Sequence, residues 1–163
     1  MNIDRDAPRN DRRGGFSLVE LLLSMAIVGL LAGIAIPNLR AMTFRARAVE
    51  VAAEIEAVRV AALSYNADAF AWPAEVSAGV VPPELTAGAD PYLETTTFTG
   101  DGYELDYEFL SPVVIPGEPG TNQVIAIAVE LDSDELSNAV VDLLGATIIF
   151  SLGRRHTVLI DRS

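Results

Sequence analysis

Between Phe16 and Ile36 the chain reads FSLVELLLSMAIVGLLAGIAI, 21 residues in which Glu20 is the single charge. Wound as an α-helix, this run is about 31 Å long, the thickness of a bilayer's hydrocarbon core. Ahead of it stands MNIDRDAPRNDRRGG, short, polar and closed by Gly14 and Gly15, with Arg5, Arg9, Arg12 and Arg13 set against Asp4, Asp6 and Asp11. A secretory signal peptide has an apolar stretch of about 7–15 residues and a small-residue cleavage site. Gly33-Ile34-Ala35 offers such a site, but the run is longer and holds a carboxylate. A plain membrane anchor accounts for the length and leaves Glu20 unexplained. A charge at the centre of a membrane helix costs about 2.5–3.5 kcal/mol on insertion scales, less near the helix end, and marks a functional group in want of a partner.

Cleavage between Gly15 and Phe16 supplies that partner. It creates an α-ammonium at Phe16, four residues before Glu20; an isolated α-amino group titrates near 7.7–8, so this one is mostly charged at neutral pH. Within one chain the helix dipole already favours a carboxylate in the first turn. Between chains staggered along an axis, Glu20 of one can neutralise the terminus of the next. At 4 Å and an effective dielectric of about 20 such a pair attracts by about 4 kcal/mol before desolvation, enough to favour one register over others.

The string Gly14-Gly15-Phe16-Ser17-Leu18-Val19-Glu20, followed by an apolar run ending in Ile36-Pro37-Asn38, resembles the class III signal and N-terminal helix of type IV pilins and type II secretion pseudopilins. The resemblance covers about the first third of the chain. It implies a leader over residues 1–15, cut after Gly15 by a membrane-embedded prepilin peptidase that also methylates Phe16. It implies a transmembrane, filament-core helix over 16–37, in which Glu20 guides entry into the filament and Pro37 marks a kink or melted turn. The partners implied are further copies of the chain, other pilins or pseudopilins, an assembly ATPase and a platform protein, with membrane lipid before assembly. The location implied is a bacterial inner membrane, N-terminus cytoplasmic and head periplasmic, and then a periplasmic or cell-surface filament.

Pro37 has a meaning of its own: it lacks a backbone donor and crowds the carbonyl of Gly33. With Gly29 and Gly33 it makes residues 29–37 the weakest stretch of the helix. A hinge rather than an end is expected, because helical periodicity resumes over 38–65. Phe44, Ala48, Val51, Ile55, Val58, Ala62 and Tyr65 follow one another at spacings of 4-3-4-3-4-3, the stripe of an amphipathic helix packing on a core. Glu56 and Arg59 are placed to pair at i,i+3, and Arg40, Arg45 and Arg47 to meet lipid headgroups or a neighbour's carboxylates.

Residues 66–163 form the expected head. Asp68 to Gly102 reads as loop, with Trp72-Pro73 pegging it to the helix and Pro83-Glu84-Leu85 opening a short helical turn. Tyr103–Leu110 alternates as a half-buried strand, and Ser111–Asn122 reads as a Pro/Gly loop. Val124–Leu131 reads as a more buried strand. Asp132 with Glu135 has capping-box form and starts a short helix bearing Leu136, Val140, Leu143 and Leu144 and ending at Gly145. Ala146–Leu152 and His156–Ile160 form a hairpin across Gly153-Arg154-Arg155. The fold class expected is α+β: one long N-terminal helix packed on a small antiparallel sheet of about four strands.

Composition bounds the chemistry. There is no Cys and no Lys, and 11 Arg stand against 23 acidic residues. This excludes disulfides and thiolate sites, and an acidic balance argues against nucleic acid as a partner. The carboxylates at Asp132, Asp134 and Glu135, and at Asp101, Glu104, Asp106 and Glu108, lack the alternating ligands and glycine turn of a calcium loop and read as a helix start and a solvated strand face. Ser151, His156 and Asp161 form a triad on paper, without a nucleophile elbow. No cofactor, metal or catalytic residue is expected. The function expected is a structural subunit of a type II secretion pseudopilus or type IV pilus-like filament. The alternative is a single-pass anchored periplasmic binding or enzymatic domain that does not polymerise.

Overall fold

A computed structural model describes residues 15–113 and 122–162. The expected leader, apart from Gly15, and most of the loop expected over Ser111–Asn122 lie outside the described residues. The chain divides into two units, Met1–Arg40 and Ala41–Ser163.

In the first unit the apolar run is helical from Leu18, the start of α1 (Leu18–Ala69), and Pro37 lies inside that helix. Thirteen large apolar side chains between Phe16 and Ile36 are exposed, as a run without polar alternation has no face to turn inward.

In the second unit the stripe on α1 does what its spacing predicts. Ala48, Val51, Ile55, Val58 and Ala62 are buried, with Ala61 beside them, and Phe44 and Tyr65 are half-buried against the same core. The core is completed by a five-stranded antiparallel sheet in the order β1-β2-β3-β5-β4. Its strands are β1 (Thr99–Gly100), β2 (Tyr103–Val113), β3 (Asn122–Leu131), β4 (Ile148–Leu152) and β5 (Arg155–Arg162). Tyr103, Leu105 and Tyr107 of β2, with Ile125, Ile127, Val129 and Leu131 of β3, point to the core. The fifth strand is β1, two exposed residues inside the segment expected to be loop. It pairs with β2 across Asp101-Gly102. Gly102 has φ +88, and a Cβ there would meet the Asp132 carboxylate at 2.9 Å, so the turn requires glycine.

The other face of the sheet is organised by one arginine. Arg155 pairs with Glu130 in register, and Ala126 and Ala128 lie opposite Glu108 and Asp106. The Arg155 guanidinium reaches across those buried alanines to Asp106 Oδ2 and Glu108 Oε1, each at 2.7 Å. The solvated strand face expected for these carboxylates is therefore an ion-paired one, and the hydrogen bond that Arg155 donates to Asp106 leads the causes that raise the Arg155 pKa. Arg47, expected at headgroups or a neighbour, instead pairs with Asp101 of the same chain. Glu56 and Arg59 pair as expected, at 3.3 Å.

The connection after α1 is ordered by backbone hydrogen bonds. Gly79 N–H donates to the Leu105 carbonyl at 2.9 Å, and Leu93 N–H to that of Leu85 at 2.9 Å. The expected turn at Pro83 is α2 (Pro83–Thr86), with Leu85 fully buried. Trp72 is half-buried against the core, and Pro73 is buried. Tyr92 donates to Asp68 at 2.8 Å and packs edge-on against Tyr65. Phe70, closing α1, sits at φ +54 and is 91% exposed.

After β3, the helix α3 (Asp134–Leu144) starts one residue later than the capping pattern implied: Ser133 is the N-cap, its hydroxyl accepting from Leu136 N–H at 3.4 Å. Leu136 and Val140 are buried, whereas Leu143 is exposed. The hairpin β4–β5 turns at Gly153-Arg154, with Gly153 at φ +61.

Candidate functional site

Gly15, Phe16 and Ser17 precede α1 as irregular chain. Ser17 caps the helix: its carbonyl accepts the first helical bond from Leu21 N–H at 3.2 Å, and its hydroxyl accepts from Glu20 N–H at 3.2 Å. In return the Ser17 N–H donates to Glu20 Oε2 at 3.5 Å. This is a reciprocal capping box, which satisfies two of the donors left over at a helix start. Its signature, Ser-Leu-Val-Glu ahead of an apolar run, stands in the sequence. One turn on, Ser24 Oγ donates to the Glu20 carbonyl at 2.5 Å.

Around this box the chain is open. Phe16 is 80% exposed, and a Cβ on Gly15 would meet nothing within 4 Å. Among the described residues Glu20 takes part in no ion pair. The helix it begins is long and apolar enough to cross a membrane by length and composition. Pro37 lies inside it, with Gly29 and Gly33 in the preceding turns.

The other candidates divide differently. His156, 3% exposed, is hydrogen-bonded at Nε2 to Ser137 Oγ (2.8 Å) and at Nδ1 to Ser151 Oγ (2.9 Å). Ser151 and His156 of the paper triad thus meet, but the third position belongs to Ser137 of α3 and not to Asp161. Burial lowers the His156 pKa, with Glu130 opposing, so the ring is held neutral as a tie between α3, β4 and β5. Among the described residues no group of three or more His, Asp or Glu converges as a metal site. Tyr107 is fully buried with its hydroxyl unpartnered, and burial, then Glu84, raises its pKa.

Residues 10–36 match the family model described as the prokaryotic N-terminal methylation motif. Among curated proteins the chain is similar to the type IV major pilin PilE1 of Neisseria gonorrhoeae, at 36% identity over 74 residues, 45% of this chain and 35% of the relative. It is similar to the type IV major pilin PilA of Myxococcus xanthus, at 38% over 65 residues, 40% of this chain and 28% of the relative. A fimbrial protein of Pseudomonas aeruginosa matches at 42% over 50 residues, 31% of this chain and 32% of the relative. The chain thus spans about a third of the length of these three relatives. No solved structure matches. A capped, membrane-length helix under a methylation motif defines a class, the proteins with a prepilin-type N-terminus. Over the residues these matches cover, the chain is type IV pilin-like.

Proposed function

We propose that this chain is a structural subunit of a type IV pilin-like filament. It is cut by prepilin peptidase between Gly15 and Phe16, N-methylated at Phe16 and assembled through α1. The observation that carries this reading is the exposure of 13 large apolar side chains between Phe16 and Ile36. At about 1.5 kcal/mol or more for burying each, their transfer from water is on the order of 20 kcal/mol, more than the whole stability of a typical domain. Such a segment resides in lipid or among helices like itself. The same logic continues into the second unit, where α1 has an outward stripe opposite its core stripe. Met42, Val49 and Val60 are exposed there, spaced 7 and 11 residues apart and so on one helical face, with exposed Ala46 and Ala53 between them. A helix with two apolar faces, one of them unused by its own head, suits packing between copies.

In this reading Glu20 pairs with the Phe16 ammonium of a neighbour, Pro37 and its preceding glycines let the helix adapt in the bundle, and the work is mechanical rather than enzymatic. The chain passes once through the inner membrane, N-terminus cytoplasmic and head periplasmic, and is moved into the filament by an assembly ATPase and platform protein alongside other pilins. A type II secretion pseudopilus is the second reading, favoured by the absence of Cys, since many type IV pilins close a C-terminal disulfide loop.

Mass spectrometry of the native N-terminus in the membrane and sheared-surface fractions tests the proposal. An N-methylated Phe16 in both fractions is expected. An intact Met1 confined to the membrane supports a non-polymerising anchored domain instead, and a start at Ile36 a secreted one.

A further inference from the structure

We propose that the free edge of β4 is a docking strand for the β4 of a second copy of this chain. β4 ends the sheet, so alternate backbone N–H and C=O groups point away from β5 with no neighbouring strand among the described residues. Native sheets blunt such edges with short strands, charges or proline. The opposite edge fits that rule: β1 is two residues long and is followed by Asp101. β4 does not. Its five residues, IIFSL, hold no charge and no proline, and Ile149, Phe150 and Leu152 are 54%, 57% and 69% exposed. Of the seven large apolar side chains exposed beyond Phe70 among the described residues, five lie between Val141 and Leu152. The apolar surface of the head is therefore gathered at this edge and at the end of α3 that leads into it.

Charge and register select a second copy as the occupant. Residues 143–153 carry no charge, in a head with 19 acidic side chains and six Arg, so two such heads approach here with least repulsion. Ile149 bulges out of the β4–β5 register, and Phe150, Ser151 and Leu152 then pair in unbroken order with Thr157, His156 and Arg155. Ser151 turns to His156, so Phe150 and Leu152 share the opposite face. A twofold axis at Ser151 sets Phe150 of each copy against Leu152 of the other, the cross-strand apolar pairing that stabilises antiparallel sheets. The same overlap brings Arg154, which has no ion pair among the described residues, to the start of the other copy's β4, just past the end of α3. That helix has no basic residue in its last turn and carries Asp142 there, and its C-terminal dipole is negative. A twofold contact closes on itself and cannot extend a helical polymer. In the filament proposed above it joins the heads of neighbouring filaments, and it needs only the head to form. Five apolar side chains from each copy make a small interface, of the weak class below about 1,200 Å², which repetition along two fibres strengthens.

The chain has no Cys, so single introduced cysteines report on this pairing without background. Phe150→Cys, Leu152→Cys and the exposed control Val80→Cys are made in the full chain with two distinguishable tags. Each is oxidised mildly in the native membrane fraction and in sheared filaments. Directly opposed residues of an antiparallel pair have Cα atoms about 4.5–5.5 Å apart, inside the window of about 4.4–6.8 Å that a disulfide spans. An equal mixture of Phe150→Cys and Leu152→Cys is expected to give at least about fivefold more two-tag dimer than Val80→Cys, and more than either variant alone. A mixture no better than the control overturns the pairing. So does a yield from either variant alone that equals the mixture's, and so does a disulfide to a different protein in its place. Two-tag dimer in the membrane fraction of chains that never polymerise keeps the docking strand and sinks the filament reading.

Discussion

A buried imidazole between two hydroxyls titrates unlike the same ring in water. His156 is neutral in the fold because burial disfavours its cation, with Glu130 opposing; in the unfolded chain it takes up a proton near pH 6.5. The folded pKa is the depressed one, so the contribution to stability is complete above about 6.5 and is lost as pH falls below it. His156 is the only His. We therefore expect the wild-type melting temperature to fall more between about pH 7 and about pH 5.5 than that of His156→Gln. Parallel curves would exclude this. At this scale the sequence was legible for the groups with a spacing rule and illegible for those whose partner comes from a distant element. Ser151 beside His156 was visible across a hairpin, while Ser137, 19 residues away on α3, was not. The same holds for Arg155, whose partners Asp106 and Glu108 are reached only across β3.

Elements were legible in proportion to how much of their pattern is local. The 4-3-4-3 stripe of α1 and the alternation of β2 each follow from one face being buried. So does the unbroken apolar run of β3, whose small residues lie beneath Arg155. β1 left no such trace, being two exposed residues ordered by a turn and a partner strand. The start of α3 was misplaced by one residue because Asp132, Ser133 and Asp134 are all competent caps and only geometry chooses among them. The outward stripe of α1 obeys the same periodicity as the inner one, so spacing alone does not distinguish a second apolar face from the core face. It carries its own prediction. Val60→Glu is expected to leave the melting of the full chain in detergent micelles within about 0.5 kcal/mol of wild type, since the site is exposed. The same change is expected to remove the variant from sheared filaments. Equal loss in both measurements would assign Val60 to the head's stability instead.

Over the whole molecule, charge is the dominant long-range term. Residues 41–163 carry 19 acidic side chains and six Arg, and several of those arginines are engaged within the chain, Arg47 with Asp101 and Arg155 with Asp106 and Glu108. Heads brought side by side along a filament repel one another over about 30 Å at 0.01 M salt and over about 3 Å at 1 M. Filaments diluted into about 10 mM salt are thus expected to break into shorter pieces than those kept at about 0.5 M, read by sedimentation of sheared material. Indifference to salt would mean that the heads stand too far apart to sense each other.

The exposed helix between Phe16 and Ile36 also sets the economy of growth and shrinkage. A polymer made of such rods has no dissolved monomer pool to equilibrate with. In the filament proposed above, extension must extract each rod from the bilayer, and the base of the fibre is its doorway.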